Sequence, residues 1–108
     1  MKQFTTPEQT AELIELGFEK PKSETEETLL TDNFYRLAYS IGELIEVLDN
    51  IPNNMWNFIK TSARVIKVEV LVFIGTKKDE PLYKISYNKE LIDALYEMIL
   101  QLKEEGVI

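Results

Sequence analysis

The sequence predicts an α+β domain in two layers: helices covering a largely antiparallel sheet of three to four strands, in the order α-β-α-β-β-β-α. Three observations carry this. Two capping boxes, Thr6 to Gln9 and Ser40 to Glu43, open amphipathic segments. Val65 to Ile74 places apolar residues on one face with a period of two. Leu91 to Leu102 places them at helical spacing. At 108 residues and 44% hydrophobic the chain can build one core, so 1–108 is read as a single domain.

The first helix begins after Thr6, with Pro7 at its first position and Glu8 where the helix dipole favours an acid. Thr10, Leu13, Ile14 and Gly17 share one face, and Glu8, Glu12 and Glu15 another. Gly17 suits a left-handed stop, with Phe18 folding back on Leu13. Residues 19–28 are polar and contain Pro21, so the expectation is a mobile acidic loop, a solvated connector. Asn33 to Tyr39 reads as a short strand.

Ser40 opens the second helix, with Ile41, Leu44, Ile45 and Leu48 inward and Glu43, Glu46 and Asp49 toward water. Asn50 to Asn54 ends it. Met55 to Thr61 fits either a strand or a short helix, and the order above counts it as a strand. In Val65 to Ile74 the second face is Val65, Lys67, Glu69, Leu71 and Phe73, wet at one end and covered at the other. A strand this apolar on both sides belongs in the middle of its sheet. Gly75 to Pro81 is a turn, and Leu82 to Tyr87 returns beside the long strand. Asn88 is expected to cap a last helix over Lys89 to Glu105, which Gly106 and Val107 close as Gly17 and Phe18 close the first.

The chain has no cysteine and no histidine. That removes disulfides, thiolate nucleophiles, Cys/His metal sites and histidine-based acid–base chemistry. The net charge is −7, and only residues 64–84 carry a positive balance, five cations against three anions. With just two arginines, Arg36 and Arg64, contact with phosphate backbones is not expected. Met1 to Glu8 has no signal-like apolar run, and Val70 to Ile74 is too short to cross a bilayer. A cytoplasmic setting without membrane contact follows as the expectation.

Carboxylate pairs lie on the helices: Glu12 with Glu15, Glu43 with Glu46, and Asp93 with Glu97. Each sits on a face predicted to meet water, where no carboxyl is desolvated enough for acid–base work. Asp79, Glu80 and Asp32 could offer oxygen ligands to a cation but lack any ligand ladder. The four glycines are isolated, so no phosphate loop is present. No catalytic residue, cofactor or metal site is assigned. Trp56, Phe58, Phe73, Tyr83 and Tyr87, near Lys77, Lys78, Lys84 and Arg64, are compatible with base stacking but are read as core and cross-strand pairs. On the last helix, Tyr96 and Leu100 fall outside the apolar stripe, which makes them the candidate interaction surface.

The segments Phe4 to Phe18, Tyr39 to Glu46, Glu90 to Ile99 and Leu102 to Ile108 resemble a family of small uncharacterised proteins from Bacteroides-type gut bacteria and their prophages. They cover the capped helices; Pro52 to Tyr87 matches no pattern. The resemblance implies a bacterial cytoplasmic setting and a mobile-element origin, and it lends no residue a role. The expected function is therefore a non-enzymatic binding or regulatory protein, working through a protein partner or self-association. The alternatives are an acidic nucleic-acid-mimic decoy and a carboxylate- or Lys-based enzyme.

Overall fold

The computed structural model describes residues 2–29, 32–61, 63–73 and 81–108, with the backbone alone at 26–29 and 32–35. The elements are α1 (Pro7–Glu15), β1 (Ser23–Leu29), β2 (Asp32–Ala38), α2 (Ile41–Asp49), β3 (Asn54–Lys60), β4 (Ile66–Val72), β5 (Leu82–Asn88) and α3 (Leu91–Glu104). The α+β class and the antiparallel pairing are as expected. The strands form two sheets, β1-β2 and β3-β4-β5, with β4 central in the second.

Both predicted capping boxes are present. The Thr6 and Ser40 hydroxyls accept from the backbone of Gln9 and Glu43, whose side chains return to the cap N–H groups. Both glycine stops also form. Gly17 and Gly106 have φ of 99° and 76°, and Phe18 N and Val107 N donate to Leu13 O and Leu102 O at 3.2 and 3.0 Å. Phe18 and Val107 then pack against the core, as the sequence suggests. The Lys103 ammonium stands 5.7 Å from the centre of the Phe18 ring, so the ends of α1 and α3 meet.

Three expectations need correction. The loop over 19–28 gives way at Ser23 to β1, paired with β2 from Ser23↔Ala38 to Leu29↔Asp32. A two-stranded ribbon can form its ladder without an apolar face, so alternation of Ser or Thr with Glu gave no hydrophobic signal to find. Asn88 does not cap α3. The cap position is Glu90, without a side-chain bond. Asn88 Oδ1 instead accepts from Glu90 N and its Nδ2 donates to Glu97, closing the connection one step earlier. The Leu71 and Phe73 end of the second face of β4 is not covered by any described element: Phe73 is 37% exposed. Ile74 and the turn from Gly75 to Glu80 lie outside the described residues.

Helix α3 is the centre of the packing. Ile92, Ala94, Leu95, Met98, Ile99 and Leu102 are fully buried, against Val68, Val70 and Val72 of β4 and Leu44 and Leu48 of α2. Each of the larger side chains, Ala94 aside, contributes about 1.5–3 kcal/mol on leaving water, before its entropy is counted. Polar clips hold the helix over β5: Ser86 Oγ donates to Ala94 O at 2.7 Å, and Gln101 Nε2 to Ile85 O at 3.1 Å. Lys84 pairs with Glu105 at 2.8 Å. Residues 3–5 run antiparallel to 39–41, with Thr5 N on Tyr39 O at 3.0 Å and Ile41 N on Gln3 O at 3.3 Å.

Candidate interaction surface

The acidic pairs found in the sequence are taken apart by the fold. Asp93 accepts from Lys2 Nζ at 2.8 Å and from Gln9 Nε2 at 2.9 Å, whereas Glu97 accepts from Asn88 at 2.9 Å. Glu12 accepts from the Tyr96 hydroxyl. Asp93, Glu97 and Glu12 thus each have their own donor, and the contacts of Asp93 and Glu12 fasten the N-terminal segment and α1 to α3. Among the described residues no group of three or more acids gathers into a metal-holding cluster. Asp79 and Glu80, with Lys77 and Lys78, lie outside the described residues, and of Asp32 only the backbone is described.

Tyr96 does not face outward. It is 9% exposed, because α1 covers the side of α3 that a single-helix wheel assigns to water. Burial raises the phenol pKa, and the Glu12 hydrogen bond and the charges of Glu12 and Glu97 push it further up. Leu100 is half-buried against the core. The pair therefore belongs to the packing of α3.

Glu43 is the one acid of these pairs that combines partial burial with a cleft. A concavity of about 280 Å³ is lined by Phe18, Lys22, Tyr39, Glu43, Val47 and Asn50, among others. Burial would raise the Glu43 pKa, but donors prevail: the hydroxyl of Ser23, Lys22 N, and both N and Oγ of Ser40 hold it below the usual carboxylate range. Tyr39, its pKa raised by burial and by the Glu43 charge, donates to Glu19 O. A carboxylate whose lone pairs are occupied is a poor proton acceptor, so Glu43 and Tyr39 of this cleft are used in structure.

The three-stranded sheet presents a different surface. Its inner face carries Val68, Val70, Val72 and Ser86 beneath α3. Its outer face is aligned by register into three rows: Met55–Leu71–Tyr83, Asn57–Glu69–Ile85 and Ile59–Lys67–Tyr87. Met55 is 66% exposed, Tyr87 54%, Tyr83 52% and Ile59 49%. In the middle Lys67 and Glu69 form an ion pair of 2.5 Å, each about a quarter exposed. Their mutual hydrogen bond raises the Lys67 pKa and lowers that of Glu69. Tyr83 has its phenol pKa raised by desolvation and by the neighbouring Glu69 charge. The result is an apolar and aromatic frame around a fixed pair of opposite charges.

The aromatic residues grouped in the sequence divide accordingly. Tyr83 and Tyr87 stand on the outer face. Trp56 and Phe58 stack at 6.3 Å on the side facing α3, where Trp56 Nε1 also donates to Asp49 at 2.7 Å. Period-two runs at Met55, Asn57, Ile59 and at Tyr83, Ile85, Tyr87 were the available signal, but only register brings them together. Compared with protein-family models, curated proteins and solved structures, the chain matches none.

Proposed function

We propose that this chain is a non-enzymatic binding protein that presents the outer face of its three-stranded sheet to a partner protein. The observation that supports it is the continuity of Met55, Leu71 and Tyr83 with Ile59 and Tyr87 around the Lys67–Glu69 pair. Contiguous exposed apolar surface marks contact sites, and Tyr and Met are enriched in them. The central ion pair gives a partner a fixed charge pattern to match, which favours specificity over raw affinity.

Two other readings have less support. A nucleic-acid mimic needs a row of free acids, whereas Glu12, Glu43, Asp49, Glu69, Asp93, Glu97 and Glu105 are each engaged within the chain. A carboxylate enzyme needs a poised acid, and Glu43 is held ionised by its donors.

The test compares capture from bacterial lysate by the wild type, by Tyr83→Ser/Tyr87→Ser, and by Glu46→Lys on α2. A protein recovered with wild type and Glu46→Lys but lost with the tyrosine variant supports the reading. Equal recovery by all three, or recovery of nothing specific, overturns it.

A further inference from the structure

We propose that a second copy of this chain docks along the free edge of β3, antiparallel and twofold-symmetric about Asn57, so that two three-stranded sheets become one of six strands. β3 lies at the margin of its sheet and is bonded to β4 on one side. Among the described residues no backbone hydrogen bond reaches its other side. Edge strands that stay single are guarded by charge, proline, a bulge or short length. β3 is seven residues long, has no proline, and carries one charge, Lys60, at its last position. Met55, Phe58 and Ile59 are instead 66%, 44% and 49% exposed.

Register singles out a second copy as the occupant. A twofold axis perpendicular to the sheet keeps each face on its own side, so it must pass through a residue. Centred on Asn57 it pairs Trp56 with Phe58, Met55 with Ile59, Asn54 with Lys60, and Asn57 with itself. Ring meets ring, aliphatic meets aliphatic, and the single charge meets an amide. Moving the axis to Trp56 sets Met55 against Asn57 and Asn54 against Phe58. Moving it to Phe58 sets Ile59 against Asn57 and Trp56 against Lys60. The strand is self-complementary in one register, which is what an isologous contact requires.

The rest of the molecule agrees. α3 lies over β4 and β5, and Phe58 on the same side of β3 remains 44% exposed. The opposite margin is less suited, because Gln101 Nε2 already occupies the Ile85 carbonyl of β5 at 3.1 Å. The outer face would run on without a break from one copy to the other. The association does not depend on what that face binds.

The chain has no cysteine, so Asn57→Cys introduces its only thiol. Opposite residues of antiparallel strands have Cα atoms about 4.5–5.5 Å apart, within disulfide reach; a short bismaleimide gives the same readout. Rapid covalent dimerisation of Asn57→Cys, but not of Glu46→Cys on α2, is the expected result. In sedimentation the wild type shows a monomer–dimer equilibrium that tightens with salt, since each copy carries −7. Ile59→Lys shifts it at least tenfold toward monomer with an unchanged circular dichroism spectrum. A wild type that stays monomeric to millimolar concentration, or equal cross-linking of the two cysteine variants, overturns the proposal. The tyrosine variant on β5 reports separately on the outer face, so the two ideas fail independently.

Discussion

The Tyr96 hydroxyl donates to the carboxylate of Glu12, joining the middle of α3 to α1 across 84 positions of sequence. Tyr96→Phe removes this bond while keeping the ring. A cost of about 1 kcal/mol is expected, below the usual range for charged acceptors because Glu12 is exposed. The pH dependence has a definite sign. The folded chain holds the phenol proton above the unfolded value of about 10. Its contribution is therefore complete below that pH and is lost as pH climbs toward the folded value. Urea midpoints from pH 8 to 11 should fall less steeply for Tyr96→Phe than for wild type.

Glu43 has the opposite sign. Its folded pKa lies below the unfolded one, so its contribution is present above about pH 4.3 and lost as pH falls through the folded value. Glu43→Gln should cost about 1–2 kcal/mol at pH 7, since the neutral amide serves the donors from Ser23, Lys22 and Ser40 less well. Denaturation midpoints between pH 3 and 7 should show a flatter acid limb for this variant.

Gly17 carries φ of 99° with open space around it, so a methyl group there meets no neighbour. Gly17→Ala should nonetheless destabilise by about 1–2 kcal/mol, the backbone penalty of the left-handed region alone. Thermal melts of Gly17→Ala beside Glu15→Ala, on the same helix, isolate that term.

Leu95 and Leu37 offer a contrast in burial. Leu95 on the buried face of α3 is 0% exposed, and Leu37 on β2 is 47% exposed. Leu95→Ala should cost about 2–5 kcal/mol through lost transfer energy and the cavity left behind. Leu37→Ala should stay near 0.5 kcal/mol, as surface changes do. Comparable losses in chemical denaturation would mean that the core is not centred on α3.

Local signals were legible in the residues. Thr6, Ser40, Gly17 and Gly106 each act within one turn of helix, so their capping and stop geometry could be read directly. The alternation of Ile66, Val68, Val70 and Val72 likewise marked β4 as a strand with one apolar face. What escaped depends on contacts between distant segments. Tyr96 is buried by α1, which no wheel drawn on α3 alone can include. Glu43 has a recognisable capping role, yet its bonds to Lys22 and Ser23 come from some twenty positions away. β1 hides no apolar face, so its strand character left no hydrophobic trace. The outer surface of the sheet needs Met55, Leu71 and Tyr83 to be aligned, and alignment is a property of pairing, not of any one strand.

Placing the organising helix at residues 91–104 has a consequence for how the chain reaches its native state. Lys2, Gln9 and Glu12 find their partners at Asp93 and Tyr96, and Leu44 and Leu48 find theirs on the same segment. During synthesis these early residues are made well before the helix that completes their surroundings. Non-local closure of this kind slows folding. A nascent chain halted before Leu91 would expose the apolar side of β4 until α3 is made.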